Sequence, residues 1–167
     1  MTTPPLEDLV EVRILEMPLD ILRASQQHSE ELMRELTLVA EQLRQEGTHG
    51  LPIRFVDVAQ ELTTTYGSLG VAQEATIAEA MAAGERVLHE LVYRLPPALG
   101  AVVRHLDDLF DEADDYCRSG EHLLTLCASP PVVALRKWFF SEVERQIGGA
   151  APTAWPEYRA RRGGKPE

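Results

Sequence analysis

Apolar residues recur every third or fourth position through four or five segments of this chain, a spacing that calls for helices packed side by side. The first segment runs from Pro18 to Glu46. Leu19, Leu22, Ser25, Ser29, Leu32, Leu36, Val39 and Leu43 fall along one stripe, and Gly47 to Gly50 closes the element. A proline's missing N–H costs nothing in a first helical turn, so Pro18 marks the start. Pro52 opens a second helix carrying Phe55, Ala59, Leu62 and Tyr66, which Gly67-Ser68-Leu69-Gly70 breaks or kinks. A third runs from Val71 to Val87 or beyond, burying Ile77, Met81, Leu88 and Leu91. A fourth, over residues 98–118, buries Val102, Leu106, Leu109, Phe110, Ala113 and Tyr116. Ser129, Pro130 and Pro131 start a last helix that Gly148-Gly149 stops.

Strand signals are fewer. Leu9 to Leu15 alternates as a short strand does. Glu90 to Leu95 either finishes the third helix or forms a short strand, and Val92, Tyr93 and the following Pro96-Pro97 favour the strand. The predicted fold is mainly α: a helical bundle of four to five helices with at most one pair of short strands. Residues 1–8 read as a flexible arm, 9–155 as a single helical domain and 156–167 as a disordered basic tail. A chain of 167 residues buries roughly 70% of its unfolded surface, so folding calls for no disulfide or metal.

An offset of 77 positions lays Leu22, Ser25, His28, Ser29, Leu32, Met33 and Leu36 over Leu99, Val102, His105, Leu106, Leu109, Phe110 and Ala113. In both copies an apolar segment and a proline precede the helix. A duplicated strand–helix unit whose two strands pair has this form. Any two amphipathic helices can be slid into register, so the echo alone leaves duplication open.

Charge and cysteine content narrow the function classes. The net charge is −11, and residues 159–167 carry +3 of it, leaving −14 on the rest. Such a body repels phosphate backbones, which argues against nucleic-acid binding. The longest apolar runs are far too short for a membrane span, and the N-terminus lacks a basic region followed by an apolar run. A cytoplasmic protein is expected. Cys117 and Cys127, with no CxxC or Cys/His cluster around them, are expected as reduced, buried or half-buried thiols.

Residues 107–115 hold Asp107, Asp108, Asp111, Glu112, Asp114 and Asp115. Helical spacing puts Asp107, Asp108 and Asp111 on one face, which can hold magnesium and a diphosphate as in isoprenoid synthases. Those enzymes need a longer helical barrel and a second metal motif, and this chain has neither. The amphipathic pattern instead predicts a solvated acidic face, with a small metal-dependent enzyme as the alternative reading. The one Glu-x-x-His spacing, Glu46 to His49, crosses a glycine loop where a di-iron bundle needs two such pairs; no nucleophile elbow or phosphate loop is present, and no cofactor is expected.

The last helix carries Trp138, Phe139 and Phe140 over more than one narrow stripe, and core packing leads for them. The expected partner-contact surface is Arg136, Trp138, Glu142 and Arg145 with Arg23, Gln27 and His28 of the first helix. A non-catalytic protein-interaction module follows, with a structural homo-oligomer as a further alternative.

The segments PLDILRASQQHSEELMREL, YRLPPALGAVVRHLDDLFDEADDYCRSGEHLLTL and PPVVALRKWFFSEVERQIGGAAPTAW resemble a family of small helical actinobacterial proteins. That family is associated with partner-switching stress regulation: anti-sigma kinases, STAS-domain antagonists and SpoIIE-type phosphatases. The resemblance implies a regulatory role and a protein partner among sigma-factor regulatory components. The family supplies no catalytic residues to carry over.

Overall fold

The computed structural model describes residues 8–119 and 127–163. Strand β1 (Val10–Pro18) runs straight into helix α1 (Leu19–Gln45), with Pro18 at φ −76° serving both. The Leu19 N–H, which no helical carbonyl can reach, donates to Arg86 O at 3.0 Å. Helix α2 (Leu51–Tyr66) ends in a 3₁₀ turn over Gly67–Gly70, and helix α3 (Val71–Ala82) follows. Then come strand β2 (Val87–Leu95) and helices α4 (Leu99–Ser119), α5 (Pro130–Ile147) and α6 (Trp155–Gly163). The architecture is the expected helical bundle with one pair of short strands.

Helix α3 stops five residues before the expected Val87. Gly84 takes φ +76°, its N–H donates to Met81 O, and the Glu85 N–H reaches back to Ala80 O. This paired closure needs a left-handed residue, for which glycine carries no Cβ penalty. Leu88 and Leu91 therefore belong to β2, whose buried positions Leu88, Leu91 and Leu95 lie three and four apart. The two-residue alternation holds from Leu95 through Tyr93 to Leu91 and breaks before Leu88, where Glu16 on the facing strand takes φ +58° and drops out of the register.

The strands pair antiparallel, from Val10 opposite Leu95 to Pro18 opposite Val87. Each residue of β1 precedes its counterpart in β2 by 77 positions, the offset visible in the sequence. Ile14 pairs with Leu91, its own counterpart, so a local two-fold axis passes between them. The hairpins α1–α2 and α4–α5 follow the two strands. Leu32 and Leu36 of α1 join Leu109 and Ala113 of α4, with Phe55 and Val56 of α2, in one buried cluster. A second cluster lies under the ribbon, where Val12, Ile14, Met17 and Leu91 meet Ile77 of α3 and Leu135, Trp138 and Val143 of α5.

Both outer edges of the ribbon are engaged by glutamine side chains. Gln146 accepts from the Arg13 N–H and donates to its carbonyl, each at 2.8 Å, while Gln73 donates to Val92 O at 2.6 Å. These amides occupy the places a third strand would take, which blunts edge-to-edge association.

The expected disordered tail from residue 156 is helical as far as Gly163. Trp155 packs edge-on against Trp138 with centroids 5.4 Å apart, and Tyr158 stacks on Trp155. These aromatic contacts anchor a segment whose charge suggested only solvent. Residues 1–7 of the expected arm, the connector at 120–126 and residues 164–167 lie outside the described residues. No helix among the described residues is long and apolar enough to cross a membrane.

Candidate functional site

Helix α5 buries Val132, Ala134, Leu135, Arg136, Trp138, Glu142, Val143 and Gln146, so it is enclosed on most of its circumference. The expected solvated acid face on α4 holds for Asp108, Asp111, Glu112 and Asp115, which are exposed, but not for the buried Asp114 or the half-buried Asp107. Arg136, with its side chain only 7% exposed, donates through Nη2 to Asp111 Oδ1 at 2.9 Å and Asp114 Oδ2 at 3.0 Å. Its Nε faces Asp107 Oδ1 at 3.6 Å, and neither atom has a closer partner. Lys137 Nζ donates to Asp107 Oδ2 at 2.9 Å and Asp111 Oδ2 at 2.5 Å. Partial burial works against the lysine's charge, but the hydrogen bonds it donates to Asp111 and Asp107, with their negative charge, outweigh it and hold its pKa above the ordinary value. Cations of the protein thus stand where a metal bridging Asp107 and Asp111 would sit, and Asp108 is outside the network. Among the described residues no group of His, Cys, Asp or Glu is placed to hold a metal ion.

Three of the expected partner contacts on α5 are internal. Trp138 is fully buried and donates through Nε1 to Thr153 O at 2.9 Å. The buried Glu142 carboxylate accepts from the Thr153 N–H at 2.8 Å, from Gln146 Nε2 at 2.9 Å and from Arg145 Nη1 at 2.5 Å. Arg136 is spent on the aspartates. Of the rest, Arg23 and Gln27 are exposed on α1, Gln27 donates to Glu31, and Arg145 is half-exposed. A helix buried on most sides must turn some polar residues inward, and they satisfy one another there.

His28 is half-buried on α1, and its Nε2 is enclosed with no hydrogen-bond partner. Burial pushes its pKa below the ordinary 6.5; the nearby Asp114 opposes that shift and Arg136 adds to it. A histidine depressed in the folded state stabilises fully above pH 6.5, and that contribution is lost as pH falls through its folded pKa. The exposed His89, held up by its hydrogen bond to Glu16, works in the opposite sense. Urea midpoints at about pH 7 and about pH 5 are therefore expected to fall further for the parent than for His28→Asn, in which His89 is unchanged. Parallel pH profiles for the two proteins would remove His28 from this account.

Beside the ion cluster the surface opens into a cleft of about 270 Å³ between α1, α3, α5 and the ribbon. Tyr93, Phe110, Phe139 and Phe140 wall it, with Leu22 and Ile77. Tyr93 meets Phe139 edge-on at 5.9 Å, Phe110 meets Phe140 at 6.1 Å, and the Arg136 guanidinium lies over the Phe110 ring at 4.9 Å. Ser25, Gln26 and Ser29 of α1 and Glu74 of α3 supply its polar lining. No protein-family model matches the chain, and no curated protein and no solved structure matches it.

The sequence held one signal for this cleft. Ser25 and Ser29 interrupt the apolar stripe of α1, where larger side chains would have filled the space. Tyr93 and Glu74 carried no such signal, since only the end of α3 at Ala82 and the return of β2 bring them together.

The cysteines bear on no site. Cys117 is half-buried, and burial first, then its proximity to Cys127, pushes its thiol up to about 11, where it stays protonated and inert. Cys127 is exposed, against the expectation of a buried or half-buried thiol, because it follows the end of α4.

Proposed function

We propose that this chain is a non-catalytic protein-interaction module with a regulatory role, and that it engages its partner through the aromatic cleft. The observation that carries the reading is the cleft itself: four aromatic rings wall an open cavity that the described residues leave unfilled. Aromatic side chains contribute more than most to binding energy at protein interfaces. The cavity is smaller than the usual 300–1,000 Å³ of small-molecule sites, which suits one or two side chains of a partner better than a cofactor. Its titratable lining is limited to Glu74, Tyr93 and an Arg136 already neutralised by carboxylates, which is not an acid–base or nucleophilic set. The resemblance of three long segments to proteins of partner-switching stress control supports the regulatory half, and favours a partner among sigma-factor regulatory components.

Filling the cleft tests this. Ser25→Trp, on the open wall of α1, is expected to block docking while the thermal melt stays near that of the parent. Affinity capture from cells grown in several states should then yield a stoichiometric protein on the parent and not on Ser25→Trp. A folded Ser25→Trp protein that captures the same proteins as the parent would end the assignment.

A further inference from the structure

We infer that the cleft accepts a cation on an apolar stem, a lysine or arginine side chain of a basic docking segment in the partner protein. This rests on the cleft being the docking site, and names what enters it. Aromatic rings present a negative face, and Tyr93, Phe139 and Phe140 wall this space together with Phe110, whose ring already carries the Arg136 guanidinium. Glu74 stands on the α3 wall, and no described residue forms an ion pair or hydrogen bond with its carboxylate, unlike most acids that line this bundle. The one cation already there does not cancel it. Arg136 and Lys137 together face Asp107, Asp111 and Asp114, so the cluster behind the rings is itself one charge negative.

Burial, and then the charge of Glu74, push the Tyr93 phenol up to about 12, so it lines the cleft as a neutral hydroxyl. The chain's net charge of −11 extends the attraction outward and draws basic segments toward the mouth. Ser25 and Ser29, one turn apart on α1, keep the opposite wall low and free of competing charge.

The experiment pans a positional-scanning library of 12-residue peptides on the intact protein. Four proteins are compared: the parent, Glu74→Gln, Glu79→Gln and Ser25→Trp. Glu79 is exposed on the same helix but does not line the cleft, so it controls for bulk charge. The parent is expected to retain peptides with lysine or arginine beside leucine or an aromatic residue. That enrichment should fall about two- to fivefold on Glu74→Gln and persist on Glu79→Gln, the size of one ion pair to an exposed carboxylate. Peptides without a basic residue, or equal losses on Glu74→Gln and Glu79→Gln, overturn the cation while leaving the cleft as a docking site. Recovery of the same peptides on folded Ser25→Trp overturns both.

Discussion

Arg136→Met is expected to destabilise the protein by about 3–5 kcal/mol, because it strands a buried carboxylate. Asp114 is 3% exposed, and Arg136 is its cationic partner in the network. Asp107 and Asp111 keep Lys137 when the arginine is removed, so the loss falls mainly on Asp114. Methionine has the bulk to fill the space over Phe110, which keeps a cavity term from dominating. For a chain of this length the change is about 10 °C in Tm. Urea unfolding of the single variant and of Arg136→Met/Asp114→Asn measures it. The double variant should recover most of the loss, since it removes the stranded charge as well as its partner. A single-variant loss below about 1 kcal/mol would mean that Asp114 is solvated or paired in another way. Arg136→Lys should also fall well short of the parent, because an ammonium lacks the planar fork that spans Asp111 and Asp114 at once.

Trp138→Ala should cost a similar amount, about 3–5 kcal/mol, for a different reason. The ring is fully buried beneath the ribbon, and its removal leaves a cavity that the surrounding α5 and β1 side chains close only in part. Two further losses follow. The Thr153 carbonyl loses its Nε1 donor, and Trp155 loses the ring it packs against. Helix α6 should therefore lose amide protection before the rest of the molecule does, which hydrogen exchange reads residue by residue. Trp138→Phe separates the terms: it restores most of the packing and leaves the Thr153 carbonyl without its donor, for a cost nearer 1–2 kcal/mol. Unchanged protection of α6 amides in Trp138→Ala would show that Trp138 does not anchor that helix.

The elements differ in how openly the sequence declared them. Helices α1, α2, α4 and α5 were legible because a one-sided apolar stripe, or a proline and a glycine pair, marks each of them. Helix α3 and strand β2 were not separable by pattern. Ile77 and Met81 run on to Leu88 and Leu91 at near-helical intervals, because the strand's alternation is interrupted opposite Glu16. Gly84 was the overlooked stop signal, sitting among small residues that also suit a helix interior. The acid-rich stretch of α4 followed the usual pattern of a wet face, and it is one except at Asp107 and Asp114, which α5 covers. The cations that cover them lie about 25 residues away on another helix. Arg136, Trp138 and Glu142 were expected at an interface because polar and aromatic residues mix there. The same mixture arises in a helix enclosed on nearly all sides.

By itself the sequence determined the helical class, most helix boundaries and the 77-residue echo, since all three depend on local spacing and on proline and glycine stereochemistry. Tertiary structure alone decided which faces are inside. Burial depends on what packs against a face, and α5 meets the ribbon, α4 and α1 at once. The aromatic cleft arises in the same way, from side chains on separate elements that no local pattern brings together.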